Sequence, residues 1–83
     1  MSVYVDKSRN AFGRMIMCHM IADSLDELHV MSDRIGVARR WFQRESSFPH
    51  YDICLQMRRR AIDFGAIELG RRRFVAKLRE LRG

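Results

Sequence analysis

Five ionisable side chains stand at spacings that chemistry can use: Asp6, His19, Asp23, His50 and Asp52. His19 and Asp23 are four residues apart, which on a helix puts both on one face. His50 and Asp52 are two apart, which on an extended segment puts both on one side. Two imidazoles with two or three carboxylates carry the donor atoms for a divalent zinc, manganese or iron ion, with His19, Asp23, His50 and Asp52 as ligands. With Asp6 included, the same groups can also work without a metal, as pairs in which an aspartate orients a histidine that moves a proton. Neither spacing reproduces the HExxH helix or a zinc knuckle, so both chemistries stay open. Each residue also has a plain structural use. Asp23 and Asp52 are candidate helix caps, and His19 and His29 can be hydrogen-bonded histidines beneath a helix.

The second set of candidates is basic. From residue 1 to 53 there are seven basic and seven acidic side chains; from 54 to 83 there are nine basic and three acidic, so the whole net charge of +6 lies in the last third. Arg58-Arg59-Arg60 and Arg71-Arg72-Arg73 can clamp phosphates through bidentate guanidinium forks, with Lys77, Arg79 and Arg82 beyond them. A helix starting after Gly70 would add backbone N–H donors. Such a face suits nucleic acid or a phosphorylated small molecule, although a solvated helix face has the same composition. Gly13, Gly36, Gly65 and Gly70 are isolated and form no phosphate-binding loop.

The elements that must position these groups follow from local pattern. Ser2 to Asp6 reads as a short strand ending in an aspartate. Ala11 to Ala22 is Met-rich, without a clean period of two or of 3.6, and is open between buried loop, short helix and added strand. Ser24-Leu25-Asp26-Glu27 matches a capping box. The helix it opens places Leu25, Leu28, Ser32 and Ile35 on one face and ends at Gly36. Val37 to Gln43 reads as a strand with Trp41 and Phe42 as its bulk, residues 44–49 as a polar loop, and His50 to Ile53 as a short extended segment. Leu55 to Phe64 predicts a second helix, Ala66 to Leu69 a strand, and Gly70 to Leu81 a third helix with Phe74, Val75, Leu78 and Leu81 buried. This alternation predicts one α/β domain over residues 1–83, a two- or three-layer βαβαβα unit with a short, mostly parallel three-stranded sheet. In such a sheet ligands bind beyond the carboxyl ends of the strands, the edge on which Asp6, His19, Asp23, His50, Asp52 and the run after Gly70 would then fall.

Composition narrows the setting. With 47% hydrophobic residues and one proline, a folded domain is expected. Cys18 and Cys54 form no CxxC pair and read as reduced thiols of a cytoplasmic protein. Asp6, Lys7 and Arg9 interrupt any signal-peptide core, and Ala11 to Ala22 is too short and too interrupted by Arg14 and His19 to span a bilayer. Methionine adapts to irregular apolar contacts, so segment 15–21 is also a candidate homodimer surface.

Several motifs occur in a specific order over nearly the whole chain: Val3-Tyr4-Val5-Asp6, His19-Met20-Ile21-Ala22-Asp23, Asp26-Glu27-Leu28-His29, Arg40-Trp41-Phe42-Gln43, His50-Tyr51-Asp52 and Gly65-Ala66. This order resembles a small bacterial and phage family catalogued as a domain of unknown function, number 4031. The resemblance implies a cytoplasmic protein of a bacterial cell or a phage-infected host. It singles out Asp6, His19, Asp23, His29, His50, Tyr51 and Asp52, and it implies no reaction. The run Arg58 to Arg60 departs from the family, which carries one basic residue near this place. Three functions remain in view. The first is an enzyme, a hydrolase or phosphoesterase using the His/Asp groups, with Arg14 or the arginine runs holding an anionic substrate. The second is a non-enzymatic nucleic-acid-binding accessory protein. The third is a phage interaction protein that modulates a host factor.

Overall fold

The computed structural model describes residues 2–44 and 48–82. The chain runs β1 (Val3–Val5), β2 (Asn10–Phe12), β3 (Met15–Ala22), α1 (Leu25–Ile35), a 3₁₀ turn (Arg39–Trp41), β4 (Phe42–Gln43), β5 (His50–Cys54), α2 (Leu55–Asp63), β6 (Ile67–Glu68) and α3 (Arg71–Arg82). The six strands form one mixed sheet in the order β4-β5-β3-β1-β6, with β2 also paired to β3. The α/β character is as expected, but the mostly parallel three-stranded sheet is not found. Only β1 and β6 pair in parallel, and the other four pairings are antiparallel.

The reason lies in residues 10–22. Phe12 and Met15 face each other across the two-residue loop Gly13-Arg14. Gly13 has φ 60° while no other residue type has positive φ among the described residues, the pattern of a type II′ hairpin turn. This hairpin reverses the chain before the first helix. β3 therefore runs antiparallel to β1, and β5 returns antiparallel to β3. The i, i+4 helical relation expected for His19 and Asp23 disappears with it, since both belong to the β3 arm.

Side-chain parity on the strands then sorts the molecule into layers. Val3 and Val5 of β1, Cys18, Met20 and Ala22 of β3, and Tyr51 and Ile53 of β5 point to one face, where they bury Leu28, Met31 and Ile35 of α1 and Ala61 of α2. The alternate residues point the other way. There Tyr4 and Ile21 pack with Leu69 and Phe74 of α3, and Leu78 and Leu81 lean on this smaller cluster. The helices close as their ends dictate. Ser24 Oγ accepts from Glu27 N at 3.2 Å, and Gly36 (φ 85°) turns the chain out of α1. Leu25 lies outside the buried face of α1, which uses Met31 in its place. Val75 is likewise exposed on α3.

Two further expectations change. The strand expected over 37–43 survives only at Phe42 and Gln43. Residues 37–40 lack alternation, Arg39 is drawn back to Asp33 at 2.9 Å, and Trp41 is exposed beside the Arg40 guanidinium. Within segment 15–21, Cys18, Met20 and Ile21 are buried inside the chain, while Met15 stays exposed near Phe12 at the hairpin end. The loop expected over 44–49 falls partly on residues 45–47, outside the described residues. No helix among the described residues is long and apolar enough to cross a membrane.

Cys18 sits at the centre of this packing with no exposed surface. Burial, aided by the Asp6 carboxylate, pushes its thiol up to about 12. Since the thiolate is the reactive form, iodoacetamide at pH 8 is expected to modify half-buried Cys54 in the native protein and to reach Cys18 only in denaturant. Peptide mass spectrometry checks this, and equal native labelling of both would contradict the packing.

Candidate functional site

The register of β3 and β5 builds the site. His19 lies directly opposite Asp52, and His50 lies two residues before Asp52 on the same strand. All three therefore fall on the α3 face, as a cross-strand pair and its diagonal neighbour. Asp6, the residue after β1, joins them because its N–H bonds His19 O at 3.2 Å, extending the ladder by one step.

Asp6 is buried, and its carboxylate is saturated. It accepts from His19 N at 2.9 Å, from His19 Nδ1 at 2.7 Å and from Ser8 Oγ, which lies 2.9 Å from both oxygens. Burial alone would push the Asp6 carboxyl up. The bonds from the His19 ring and backbone and from Ser8, with the charge of His19, outweigh burial and hold it below its ordinary 3.8. His19 moves the opposite way. The bond to Asp6 raises it above 6.5 against a smaller opposing effect of burial, and the charges of Asp6 and Asp52 add to the rise.

These bonds fix which nitrogen of each ring faces the sheet's open side. His19 Nδ1–H donates to Asp6, and His50 Nδ1–H donates to Phe48 O at 2.8 Å. In the neutral tautomers the lone pairs then sit on the two Nε2 atoms. Both Nε2 atoms point at one oxygen: Asp52 Oδ1 is 3.7 Å from His19 Nε2 and 3.1 Å from His50 Nε2. The imidazole rings meet edge to face at 5.3 Å. One ligand atom from each of His19, His50 and Asp52 lies within 4.8 Å of the others. Ligands about 2.0–2.1 Å from a tetrahedral ion sit roughly 3.3 Å apart, so the donor set fits a divalent cation with modest side-chain adjustment. The far nitrogens are held by a carboxylate and a backbone carbonyl, the outer support that metal-binding imidazoles characteristically have.

His19 and His50, with Asp6 behind them, face a hollow of about 650 Å³ between the sheet and α3, and Asp52 lies just outside its lining. Lys7 and Ser8 of the β1–β2 loop and Asn10 at the start of β2 form one side, and Phe74, Val75 and Leu78 of α3 the other, with Arg71 and Phe48 also at its wall. The loop residues and Phe48 gave no signal in the sequence beyond the closeness of Ser8 to Asp6.

Other candidates are placed elsewhere. Asp23 is about 13 Å along β3 from His19, at roughly 3.3 Å per residue. It accepts there from Ser2 N at 2.8 Å and Tyr4 Oη at 3.0 Å. His29 and Tyr51 meet on the opposite face, Nδ1 to Oη at 2.7 Å, where Tyr51 belongs to the main core and half-buried His29 lies at its margin beside Phe42. Arg14 is exposed at the hairpin turn. Arg58 donates to Asp6 O at 2.9 Å and bridges to Glu68, and Arg60 donates to Ile35 O at 3.2 Å. Arg59 pairs with Asp63. The first arginine run thus serves the fold, while Arg71 reaches the hollow.

The Asp6–His19 pair carries a pH signature in the ion-free protein. A lowered carboxylate contributes stability above its unfolded value and loses it as pH falls through the folded one. A raised imidazole contributes below its unfolded value and loses it as pH rises through the folded one. With ordinary values of 3.8 and 6.5, the stability lost in Asp6→Asn should be largest between these two values and shrink on both sides. Urea denaturation in EDTA across pH 3–9 checks this; a pH-independent difference would contradict it.

A family model described as Protein of unknown function (DUF4031) matches residues 3–81. No curated protein and no solved structure matches the chain. The match spans the hairpin, the His/Asp cluster and α3 alike, and the chain belongs to this family.

Proposed function

We propose that the protein is a metal-dependent hydrolase of phosphate esters, acting in the hollow between the sheet and α3. The observation that carries this reading is the convergence of His19 Nε2, His50 Nε2 and Asp52 Oδ1, with both imidazoles held from behind. Three protein ligands leave coordination positions open, as in catalytic rather than structural sites. A divalent ion there would supply Lewis acidity to a phosphoryl oxygen and to water.

The chain's own residues define the rest. Asp6 holds His19 in one tautomer and one orientation, and the Phe48 carbonyl does the same for His50. Asp52 turns Oδ1 to the imidazoles, which leaves Oδ2 to take the proton of the attacking water. Lys7 and Arg71 make the wall cationic, which favours an anionic ester over a neutral one. Asp6 also lines the hollow, with its carboxylate oxygens engaged by hydrogen bonds from His19 and Ser8. In the reaction a water oxygen bonds to phosphorus, one P–O ester bond breaks, and the proton passes to the departing oxygen, giving an alcohol and the shortened phosphate.

The purified protein is expected to hydrolyse bis(p-nitrophenyl) phosphate when supplied with manganese or zinc. His19→Ala, His50→Ala and Asp52→Ala should each lose more than the roughly 10–100-fold that outer support residues cost in such sites. The metal should also raise Tm by about 10 °C or more when well above Kd, and this rise should vanish in the same variants. A melting temperature indifferent to metals would sink the reading.

A further inference from the structure

We propose that the ester hydrolysed in this hollow belongs to a single strand of nucleic acid that lies along α3. The inference rests on the phosphoesterase reading and names its substrate class. A second, shallow groove runs along the outside of α3, lined by Arg71, Arg72, Val75, Ala76 and Arg79. It shares Arg71 and Val75 with the hollow that holds the His/Asp cluster, so the two lie side by side.

Positions 71, 72, 75, 76 and 79 form one stripe of a 3.6-residue helix. Arg71 to Arg79 spans about 12 Å of helix axis at 1.5 Å per residue. The side chains of Arg71, Arg72 and Arg79 form no ion pair among the described residues. This differs from Arg58 and Arg59, which pair with Glu68 and Asp63, and from Lys77, which is taken up by Glu80 and the Tyr4 ring.

The sequence places this charge against local preference. The first turn of α3 holds three arginines and no acidic residue, where the helix dipole favours negative charge. The first turn of α1 follows the rule, with Asp26 and Glu27. A local conflict of this kind marks function more often than fold, and a polyanion along the stripe resolves it.

The strand must be single because the reacting phosphate has to reach the sheet floor beneath α3. A hollow of about 650 Å³ admits a nucleotide but not a duplex. Its apolar wall of Ile21, Phe48, Phe74 and Leu78 can receive a base only when that base is unpaired. Arginines that follow the backbone together with an apolar seat for bases make the usual platform for single strands.

The test is binding of a fluorescein-labelled single-stranded thymidine 12-mer by the metal-loaded protein, followed by anisotropy across salt. The double variant Arg72→Gln/Arg79→Gln should bind at least tenfold more weakly, and its log Kd against log salt should flatten by about 1.4, roughly 0.7 for each phosphate that is no longer neutralised. Arg59→Gln should bind as the wild type does, and the metal-induced rise in Tm should persist in the double variant. Unchanged binding in the double variant, an equal loss in Arg59→Gln, or equally tight binding of a duplex overturns the proposal. Metal-dependent hydrolysis of bis(p-nitrophenyl) phosphate without strand binding also overturns it and leaves the hydrolase reading standing. Strand binding through Arg72 and Arg79 with no metal-dependent hydrolysis overturns the hydrolase reading instead, so the two failures look different.

Discussion

The Asp6 carboxylate is the interaction on which the rest of the site depends. A buried carboxylate is costly unless its oxygens are met by donors, and here each oxygen is met. The donors come from both ends of the relation that matters: the backbone and the ring of His19 on β3, and Ser8 on the loop leading to β2. One side chain thereby ties the end of β1 to the middle of β3, starts the β1–β2 loop and sets the His19 tautomer. From outside, Arg58 fastens the Asp6 carbonyl and the β6 residue Glu68. The charged hydrogen bonds to the buried Asp6 carboxylate contribute about 1.5–3 kcal/mol each. The energy that holds the strand ends together is thus the same energy that aims the imidazole.

Sheet parity then divides the labour between the two faces. The even positions of β3 build the larger core with α1 and α2. The odd positions alternate between packing and chemistry, with Ile21 under α3 and His19 in the hollow. β5 shows the same division, Tyr51 and Ile53 against His50 and Asp52. Polar groups on the α3 face keep that face from closing, and α3 is held mainly by Phe74, Leu78 and Leu81. The smaller core is the cost of an accessible site, and a site on two central strands is positioned more rigidly than one on loops alone.

Much of this was legible in the residues. The Ser24 capping box, Gly36, the second and third helices and the pairing of His50 with Asp52 on one side of an extended segment all follow from type and spacing. The sheet's direction did not. Met15-Ile16-Met17 is apolar on both faces because the strand is partly covered on both, which erases the period of two. The one local signal, Gly13-Arg14 as a two-residue hairpin loop, is short and carries an arginine rather than an asparagine or second glycine. Without that hairpin the remaining elements alternate, and alternation reads as parallel. Asp6, His19, His50 and Asp52 do not meet at the carboxyl edge that a parallel sheet implied: His19 lies within β3, His50 starts β5, and the register brings Asp6 and Asp52 to either side of His19. Asp23 did not join the group, because a spacing of four is one helical turn but a long step on a strand. Arg58 shows the limit of composition: its side chain reads as phosphate-binding in a run of three, and only the approach of Asp6 and Glu68 reveals it as a tie within the fold.

The charge excess has the same double character. Nine basic residues follow Cys54, yet they do not form one face. Arg58 and Arg60 take structural tasks at carbonyls, since a planar fork can bond backbone oxygens while keeping an exposed edge. Lys77 lies over an aromatic ring and beside Glu80. Of the rest, Arg71, Arg72 and Arg79 share one stripe of α3 and Arg73 is exposed away from it, while Lys7 from the β1–β2 loop adds its charge to the hollow. With both imidazoles coordinating as neutral groups, a dication bound at His19, His50 and Asp52 would be balanced at the floor by the Asp52 and Asp6 carboxylates, so the excess positive charge lies at Lys7, Arg71 and the stripe of α3. The hollow is therefore cationic at its wall and along the helix stripe beside it, through Lys7, Arg71, Arg72 and Arg79. Three arginines and no acidic residue in the first turn of α3 work against the helix dipole, and an anion lying there would offset this.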